Sequence, residues 1–87
     1  MKRELIITNE RGLHARAAAK FVKCVESYDA EVVVTNGDSQ VSGGSIMGLM
    51  MLAACTGTII GIEASGAESE EALNALTSLV DGKFGEK

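Results

Sequence analysis

The only histidine of the chain, His14, lies in the segment RGLHAR at residues 11–16, where a loop is predicted to enter a helix. A helix start presents unpaired backbone N–H groups and a partial positive charge, which favour a bound phosphate. An unprotonated imidazole can act as a nucleophile near neutral pH, and Arg16 adds a guanidinium with paired donors. These features suit a phosphohistidine site, in which Arg16 and the backbone N–H groups of Ala15, Arg16 and Ala17 stabilise the phosphoryl charge.

Two alternatives apply to the same residues. In the simpler one, His14 only caps the helix and Arg16 is solvated. In the other, His14 binds a metal ion, but the chain has no second histidine, and Cys24 and Cys55 stand alone without a CxxC pair. We therefore predict no metal site, and we expect each cysteine to be a small buried side chain.

The elements that must position His14 follow from hydrophobic periodicity and turn signals. Asn36-Gly37 indicates a hairpin, Ser45 and Ser69 are expected to cap two helices, and Gly82 is expected to end the last one. The predicted order is β-α-β-β-α-β-α, with strands over 4–8, 31–35, 40–41 and 58–64, helices over 15–28 and 46–52, and a last helix between Ser69 and Gly82. We expect an α+β fold, an open-faced β-sandwich whose four-stranded, mainly antiparallel sheet is covered on one face by three helices.

Composition excludes several classes of protein. With 87 residues, 46% of them hydrophobic, the chain is expected to form one domain over residues 1–87. A formal net charge of −4 disfavours broad binding to nucleic acid. The uncharged stretch 39–62 contains five glycines, and its dense apolar part covers only about ten residues, so no membrane span is predicted. The N-terminus lacks a signal-peptide pattern, and we expect a cytoplasmic protein with reduced cysteines.

Charge is distributed unevenly along the chain. Residues 2–23 hold six basic and two acidic residues, a net charge of +4, whereas residues 24–87 carry −8. Arg16, Lys20 and Lys23 lie on the predicted solvent side of the first helix. A local basic patch on an acidic protein suggests one anionic target rather than general polyanion binding.

Two motifs resemble those of a known family. The segment GLHARAA at residues 12–18 resembles the active-site signature of the HPr family, the histidine phosphocarriers of the bacterial phosphotransferase system. The segment GGSIMGLM at residues 43–50 resembles the second signature of that family, around a regulatory serine. The spacing of the motifs and the element order also agree, so the resemblance covers nearly the whole chain. The residues of the second motif are most similar to those of proteobacterial carriers that serve the nitrogen-related, regulatory branch.

The resemblance implies a carrier mechanism. Enzyme I would pass a phosphoryl group to Nδ1 of His14, and His14 would give it to a histidine of an enzyme IIA. The carrier itself would need no cofactor and would have no independent turnover. The family usually has proline where this chain has Ala17, and Ala17 supplies an N–H donor in exchange for rigidity.

The helix predicted over 46–52 has more apolar residues than one face can bury, so some of them should be exposed. Flexible methionines suit a surface that accepts several partners in turn. Following the family, we assign the docking of partners to this helix and to the basic side of the first, through Met47, Leu49, Met50, Lys20 and Lys23. A monomer is expected, since transient partners need this surface free.

Ser45 has two roles in this interpretation. As a residue before an apolar run it is a helix N-cap, and by resemblance it is the site at which an HPr kinase acts in some bacteria. A docking module of the same fold without phosphotransfer stays open. An acyl carrier is rejected, because Asp38-Ser39-Gln40 follows a hairpin and lacks the attachment sequence Asp-Ser-Leu.

Overall fold

The computed structural model describes residues 1–86, and in them four strands form one sheet. The strands are β1 (Lys2–Ile6), β2 (Glu31–Asn36), β3 (Ser39–Ser42) and β4 (Ile59–Ser65). Their order is β1-β4-β2-β3, and each neighbouring pair is antiparallel. Because Ile6 pairs with Ile59, the loop that follows β1 and the loop that precedes β4 meet at the same end of the sheet.

Within residues 1–86, only one face of this sheet is covered. Side chains alternate across a strand, and the inward set is buried: Leu5, Val32, Val34, Ile60, Ile62 and Ala64. On the opposite face Ile6 and Ile59 are 52% and 55% exposed. The predicted open-faced α+β sandwich is therefore confirmed.

Three helices cover the inward face: α1 (Ala15–Glu26), α2 (Ile46–Met51) and α3 (Ser69–Asp81). Their buried residues recur at intervals of three and four, the spacing that places side chains on one helix face. In α1 they are Ala17, Ala18, Phe21, Val22 and Val25, and in α3 they are Ala72, Leu73, Leu76 and Val80. Burial of Phe21 alone contributes about 1.5–3 kcal/mol. Among residues 1–86 no helix is long and apolar enough to cross a membrane.

A single 3₁₀ turn follows α3 at Lys83–Gly85, and we call it the C-terminal turn. It was not predicted from the sequence. Its Phe84 is only 2% exposed and belongs to the hydrophobic core. The end of the described chain is therefore held against the body of the protein.

Some element boundaries differ from the prediction. β1 begins at Lys2 rather than Glu4, because its pairing with β4 continues to Lys2. α1 ends at Glu26, before Tyr28. The expected cap at Ser69 is wrong: Ser69 is the first helical residue of α3, and the capping position is Glu68, which makes no side-chain capping bond.

Candidate functional site

His14 is carried by the loop between β1 and α1, which is tied to the loop between α2 and β4. The Leu13 N–H donates to the carbonyl oxygen of Ala54 at 2.9 Å. Gly12 has a φ of 66°, and a Cβ at that position would collide with the same carbonyl. Position 12 therefore requires glycine both for its backbone conformation and for this close approach. These contacts between the two loops hold the backbone that carries His14 in place.

Both ring nitrogens of His14 have a partner. Nδ1 accepts a hydrogen bond from the backbone N–H of Arg16 at 3.2 Å, and Nε2 lies 2.7 Å from Oε2 of Glu86. A backbone N–H can only donate and a carboxylate can only accept, so these partners assign the proton of the neutral ring to Nε2. Nδ1 then keeps its lone pair, which makes it the nucleophilic nitrogen. The side chain is 19% exposed, so it can be reached from solvent.

The N-terminus of α1 lies directly beside Nδ1. His14 is the N-cap residue of this helix, and its carbonyl accepts the first intrahelical bond, from the Ala18 N–H at 2.8 Å. The N–H groups of Ala15, Arg16 and Ala17 therefore precede the intrahelical ladder. A phosphoryl group bonded to Nδ1 would lie against this positive end of the helix. The three backbone donors named from the sequence are thus together at one place.

The guanidinium of Arg16 is exposed and makes no hydrogen bond or ion pair with any residue in the described range 1–86. It follows His14 by two residues, on the same first helical turn. Such a side chain can turn toward an anion at Nδ1 without breaking an existing contact. The structure therefore brings together the histidine, the helix N-terminus and a free cation.

Glu86 and Asn9 belong to this site, and sequence reasoning missed both. Oε2 of Glu86 accepts from His14 and, at 2.8 Å, from Nδ2 of Asn9. The hydrogen bond from His14 lowers the pKa of Glu86 below its ordinary value of 4.5; desolvation opposes this change, and bonds from Asn9 and the Arg11 backbone support it. No local motif could reveal the contact, because Glu86 and His14 are 72 residues apart.

Not all of the α2 residues that were predicted to dock partners are exposed. Met47 and Met50 are 73% and 44% exposed, in agreement with the prediction, and Met51 is 78% exposed although it was not named. The prediction for Leu49 is wrong, because its side chain is fully buried in the core. A helix of six residues that packs on α1 must turn some of its apolar side chains inward, and Leu49 is one of these.

Lys20 and Lys23 are both exposed, but their surroundings differ. Nζ of Lys20 donates to the carbonyl oxygen of Phe84 at 2.6 Å, so this residue anchors the C-terminal turn. Lys23 lies in the last turn of α1, where a positive charge is favourable to the helix dipole. Of the two, Lys23 is the more readily available to a partner.

An open cleft of about 230 Å³ lies beside His14. It is lined by Arg11 and Leu13 on one side and by Ala53, Ala54 and Cys55 on the other. The cleft lies between the His14 loop and the end of α2. A side chain from a partner docked on α2 could therefore approach the imidazole.

The environment of Ser45 is simple. Its hydroxyl accepts from the backbone N–H of Gly48 at 3.0 Å, so the predicted N-cap of α2 is confirmed. The side chain is half-buried. A Cβ at Gly48 would come within 3.1 Å of the Ser45 hydroxyl, which explains why a small residue follows three positions later.

The expectation that each cysteine is buried holds in part for Cys24 and not for Cys55. Cys24 is half-buried against the core, and burial raises the pKa of its thiol. Cys55 is exposed in the cleft beside His14, so its prediction as a buried side chain is wrong. Among residues 1–86 no three His, Cys, Asp or Glu side chains come together as a metal site.

Comparison with known proteins identifies this arrangement. The family model described as "PTS HPr component phosphorylation site" matches residues 1–81. The chain belongs to the HPr family. The phosphocarrier protein HPr of Neisseria meningitidis is 52% identical over 86 residues, which cover 99% of this chain and 97% of that protein. The phosphocarrier protein NPr of Shewanella violacea is 38% identical, over 99% of this chain and 94% of the other.

Solved structures of the HPr family agree with the fold. The HPr-C-His structure of Thermoanaerobacter tengcongensis superposes with a TM-score of 0.95 at 37% identity and covers the whole chain and 98% of the other. A structure described as an HPr dimer from the same organism gives a TM-score of 0.79 at 39% identity over 94% of each chain. The protein is therefore a phosphocarrier of the phosphotransferase system, a carrier rather than an independent catalyst.

Proposed function

We propose that His14 is the phosphoryl acceptor of this carrier and that the acceptor atom is Nδ1. Enzyme I supplies the phosphoryl group, and a histidine of an enzyme IIA receives it. Arg16 and the backbone N–H groups of residues 15–17 stabilise the charge of the group while it is bound. No cofactor is assigned to the carrier.

One observation carries this proposal: the two nitrogens of His14 have opposite surroundings. Nδ1 faces the N–H donors at the start of α1, whereas Nε2 faces the carboxylate of Glu86. A phosphoryl group at Nδ1 would be stabilised by donors and a helix dipole, but one at Nε2 would meet a negative charge. Electrostatics therefore favours Nδ1 as the acceptor.

The transfer step depends mainly on the alignment of the reacting atoms and on stabilisation of the phosphoryl charge. The lone pair of Nδ1 attacks the phosphorus, and the bond from phosphorus to the donor nitrogen of enzyme I breaks, with its electron pair returning to that nitrogen. The equatorial oxygens carry the negative charge in the transition state, and the N–H groups and Arg16 stabilise it. In the second half of the cycle His14 is the leaving group and the enzyme IIA histidine is the nucleophile.

The direct test is intact mass after incubation with phosphoenolpyruvate, magnesium and enzyme I. We expect wild type to gain one acid-labile phosphoryl group and His14→Ala to gain none. An unchanged wild-type mass with an active cognate enzyme I would contradict the proposal. A gain in His14→Ala would place the acceptor elsewhere.

The partner surface of this proposal combines an apolar centre with a basic edge. Met47, Met50 and Met51 supply exposed, flexible apolar side chains on α2, and residues 53–55, which follow α2 in the chain, line the cleft at His14. Arg16 and Lys23 supply positive charge suited to acidic partner surfaces. Alanine at Met47 should weaken the affinity for enzyme I several-fold, whereas alanine at Ile59, on the open sheet face, should not change it.

The branch of the system and the use of Ser45 are finer proposals. The resemblance of residues 43–50 and the NPr relative support a nitrogen-type, regulatory branch. Phosphoryl transfer should then be faster to a nitrogen-type enzyme IIA than to a sugar-type one, and the reverse order would contradict it.

Phosphorylation of Ser45 by an HPr kinase would place negative charge beside the methionines and disfavour docking.

Docking without phosphotransfer is the second candidate function. The exposed methionines favour it, since these apolar side chains are available to a partner whether or not the histidine is modified. Retained binding of a partner by His14→Ala, without any phosphorylation of wild type, would support it.

The protein is also proposed to be cytoplasmic and monomeric. Sedimentation at the mass of one chain would support the monomer.

A further inference from the structure

The transfer step uses Arg16 and leaves a second arginine near His14, Arg11, without a role. The side chain of Arg11 is exposed and lines the open cleft of about 230 Å³ beside His14. Its backbone N–H donates to Glu86, but its guanidinium makes no hydrogen bond or ion pair with any residue in the range 1–86. The positive charge of Arg11 is therefore available to a group from outside the chain.

Arg11 lies in a turn whose backbone is fixed by hydrogen bonds. The Gly12 N–H donates to the carbonyl oxygen of Asn9 at 3.2 Å and closes the turn. The Thr56 hydroxyl lies 2.5 Å from the same carbonyl oxygen and 2.9 Å from that of Glu10, and its proton is shared between them. Nδ2 of the buried Asn9 donates to the carbonyl oxygen of Gly12 at 2.8 Å. Because this backbone is already ordered, less entropy is lost when the Arg11 side chain binds a partner.

The lining of the cleft selects the chemistry of a ligand. Leu13 lies on the same side as Arg11, and residues 53–55, two alanines and a cysteine, form the opposite side. Among the described residues no acidic side chain lines the cleft. A group that fills it needs an apolar stem to contact these walls and a negative charge to pair with the guanidinium. A glutamate side chain, with two methylene groups and a carboxylate, has both.

The cleft adjoins the surface proposed for partner docking. Residues 53–55 directly follow α2, whose Met50 and Met51 are 44% and 78% exposed. A partner that covers these methionines therefore comes close to the cleft. Residues 2–23 carry a net charge of +4, so an acidic side chain of the partner is attracted to this part of the carrier.

We propose that Arg11 is a specificity-determining residue that binds a glutamate side chain of the docked partner within this cleft. The inference deepens the proposed function, on which it rests, by naming the group that the partner presents. The methylene groups pack on Leu13 and residues 53–55, and the carboxylate accepts two hydrogen bonds from the guanidinium. Arg11 thus contributes to docking, whereas Arg16 and the start of α1 stabilise the phosphoryl charge.

The first test measures the dissociation constant for unphosphorylated enzyme I by titration calorimetry. Lys2→Gln is the matched control, because Lys2 is exposed at the start of β1, at the other end of that strand from the His14 loop. Arg11→Gln should raise the dissociation constant about tenfold, the effect of losing one charge-assisted hydrogen-bonded pair. Arg11→Lys should raise it less, since it keeps the charge without the paired donors. Lys2→Gln should leave it nearly unchanged.

The steady-state kinetics of phosphorylation by enzyme I separate docking from chemistry. Arg11→Gln should raise KM for the carrier about as much as it raises the dissociation constant and leave kcat near that of wild type. A lower kcat with an unchanged KM would overturn the proposal, because Arg11 would then act on the phosphoryl group. Thermal unfolding of Arg11→Gln should match that of wild type, since the exposed side chain has no contact to lose within residues 1–86.

A charge exchange tests the identity of the group in the cleft. Arg11→Glu should weaken binding more than Arg11→Gln, because two carboxylates would then meet. Among enzyme I variants in which single exposed glutamates are changed to arginine, one should restore binding to Arg11→Glu and give no gain with Lys2→Glu. If none restores binding, the partner glutamate does not exist and the proposal is wrong.

These experiments separate the inference from the proposed function. If wild type is phosphorylated and Arg11→Gln binds enzyme I as well as Lys2→Gln does, the role of Arg11 is wrong and the acceptor assignment stands. If wild type binds enzyme I without being phosphorylated, the proposed function fails, and the affinities of the Arg11 variants still decide the role of this residue. If wild type does not bind enzyme I at all, both are wrong.

Discussion

The N-terminal ends of α1 and α2 are capped by the same kind of hydrogen bond but differ in the charges around them. A side chain at each N-cap accepts a hydrogen bond from a backbone N–H of the first turn: His14 from Arg16, and Ser45 from Gly48. At α1 the capping atom is a nitrogen whose ring has a second partner, Glu86, and Arg16 stands beside it. At α2 the cap is a lone hydroxyl in a stretch without charges. A capping hydrogen bond alone therefore does not create a candidate phosphoryl site. The charged groups around the cap distinguish the start of α1 from that of α2.

The largest expected effect separates capping from chemistry at α1. His14→Asn should retain the helix cap, because asparagine is among the best N-cap residues, but it should lose phosphorylation completely since an amide is not a nucleophile. Intact mass and thermal unfolding measured on the same sample check both parts. A phosphorylated His14→Asn would show that the acceptor is another residue.

Arg16→Ala should give the next largest effect. Removing one charge-stabilising hydrogen-bond donor from a transition state lowers rates by about 100-fold, and we expect a loss of up to this order in transfer from enzyme I. The folding stability should change little, since the side chain is exposed. Stopped-flow or quenched-flow kinetics measure the rate. A rate equal to wild type would mean that the helix N–H groups suffice.

At α2, two substitutions at Ser45 should act on different properties. Ser45→Ala removes the cap and should lower the free energy of unfolding by about 1 kcal/mol, with phosphotransfer unchanged. Ser45→Asp should keep the cap but weaken enzyme I binding several-fold, because it adds negative charge beside the apolar surface. Urea unfolding and titration calorimetry distinguish the two. Unchanged binding in Ser45→Asp would remove the regulatory role.

Ala17→Pro restores the residue usual in the family and should have a modest effect. Proline fixes φ and removes an N–H in the first turn of α1, so phosphorylation should stay within a few-fold of wild type while the turn becomes stiffer. Ala17 is fully buried, and a rise in stability would show that the larger ring fits there. Loss of phosphotransfer would show that the Ala17 N–H is a necessary donor.

The smallest effect is the pH dependence of the contact between Glu86 and His14. The pKa of Glu86 is lowered in the folded protein, so the carboxylate form stabilises the fold. This contribution is complete above the ordinary pKa of 4.5 and is lost as the pH falls through the lowered value. The stability difference between wild type and Glu86→Gln should therefore be present at pH 7 and shrink below about pH 4. Equal stability at every pH would contradict it.

Several features could be predicted from the sequence because they depend on neighbours in the chain. The cap at Ser45, the hairpin at Asn36-Gly37 and the apolar stripe of α1 all use residues within a few positions of one another. The active-site segment around His14 is also local, as is its place at a helix start. For such features the period of the pattern and the type of the residue are sufficient.

Other features could not be predicted because they depend on packing. Whether Leu49 or Met51 faces the core of a six-residue helix is decided by how α2 lies on α1, and the apolar pattern alone does not distinguish them. Cys55 is exposed because its loop lies at the rim of the cleft rather than beneath a helix.

The sequence by itself determined the fold class, the family and the residue that is proposed to carry the phosphoryl group, since each depends on local pattern and residue type. The resemblance already implies Nδ1 as the acceptor atom, but only the tertiary structure shows what each nitrogen of His14 contacts. The partner of Nε2 is Glu86, brought from the far end of the chain by the burial of Phe84, the bond from Lys20 and the amide of Asn9. Contacts across such a separation leave no periodic signal, because they arise only when the core has formed.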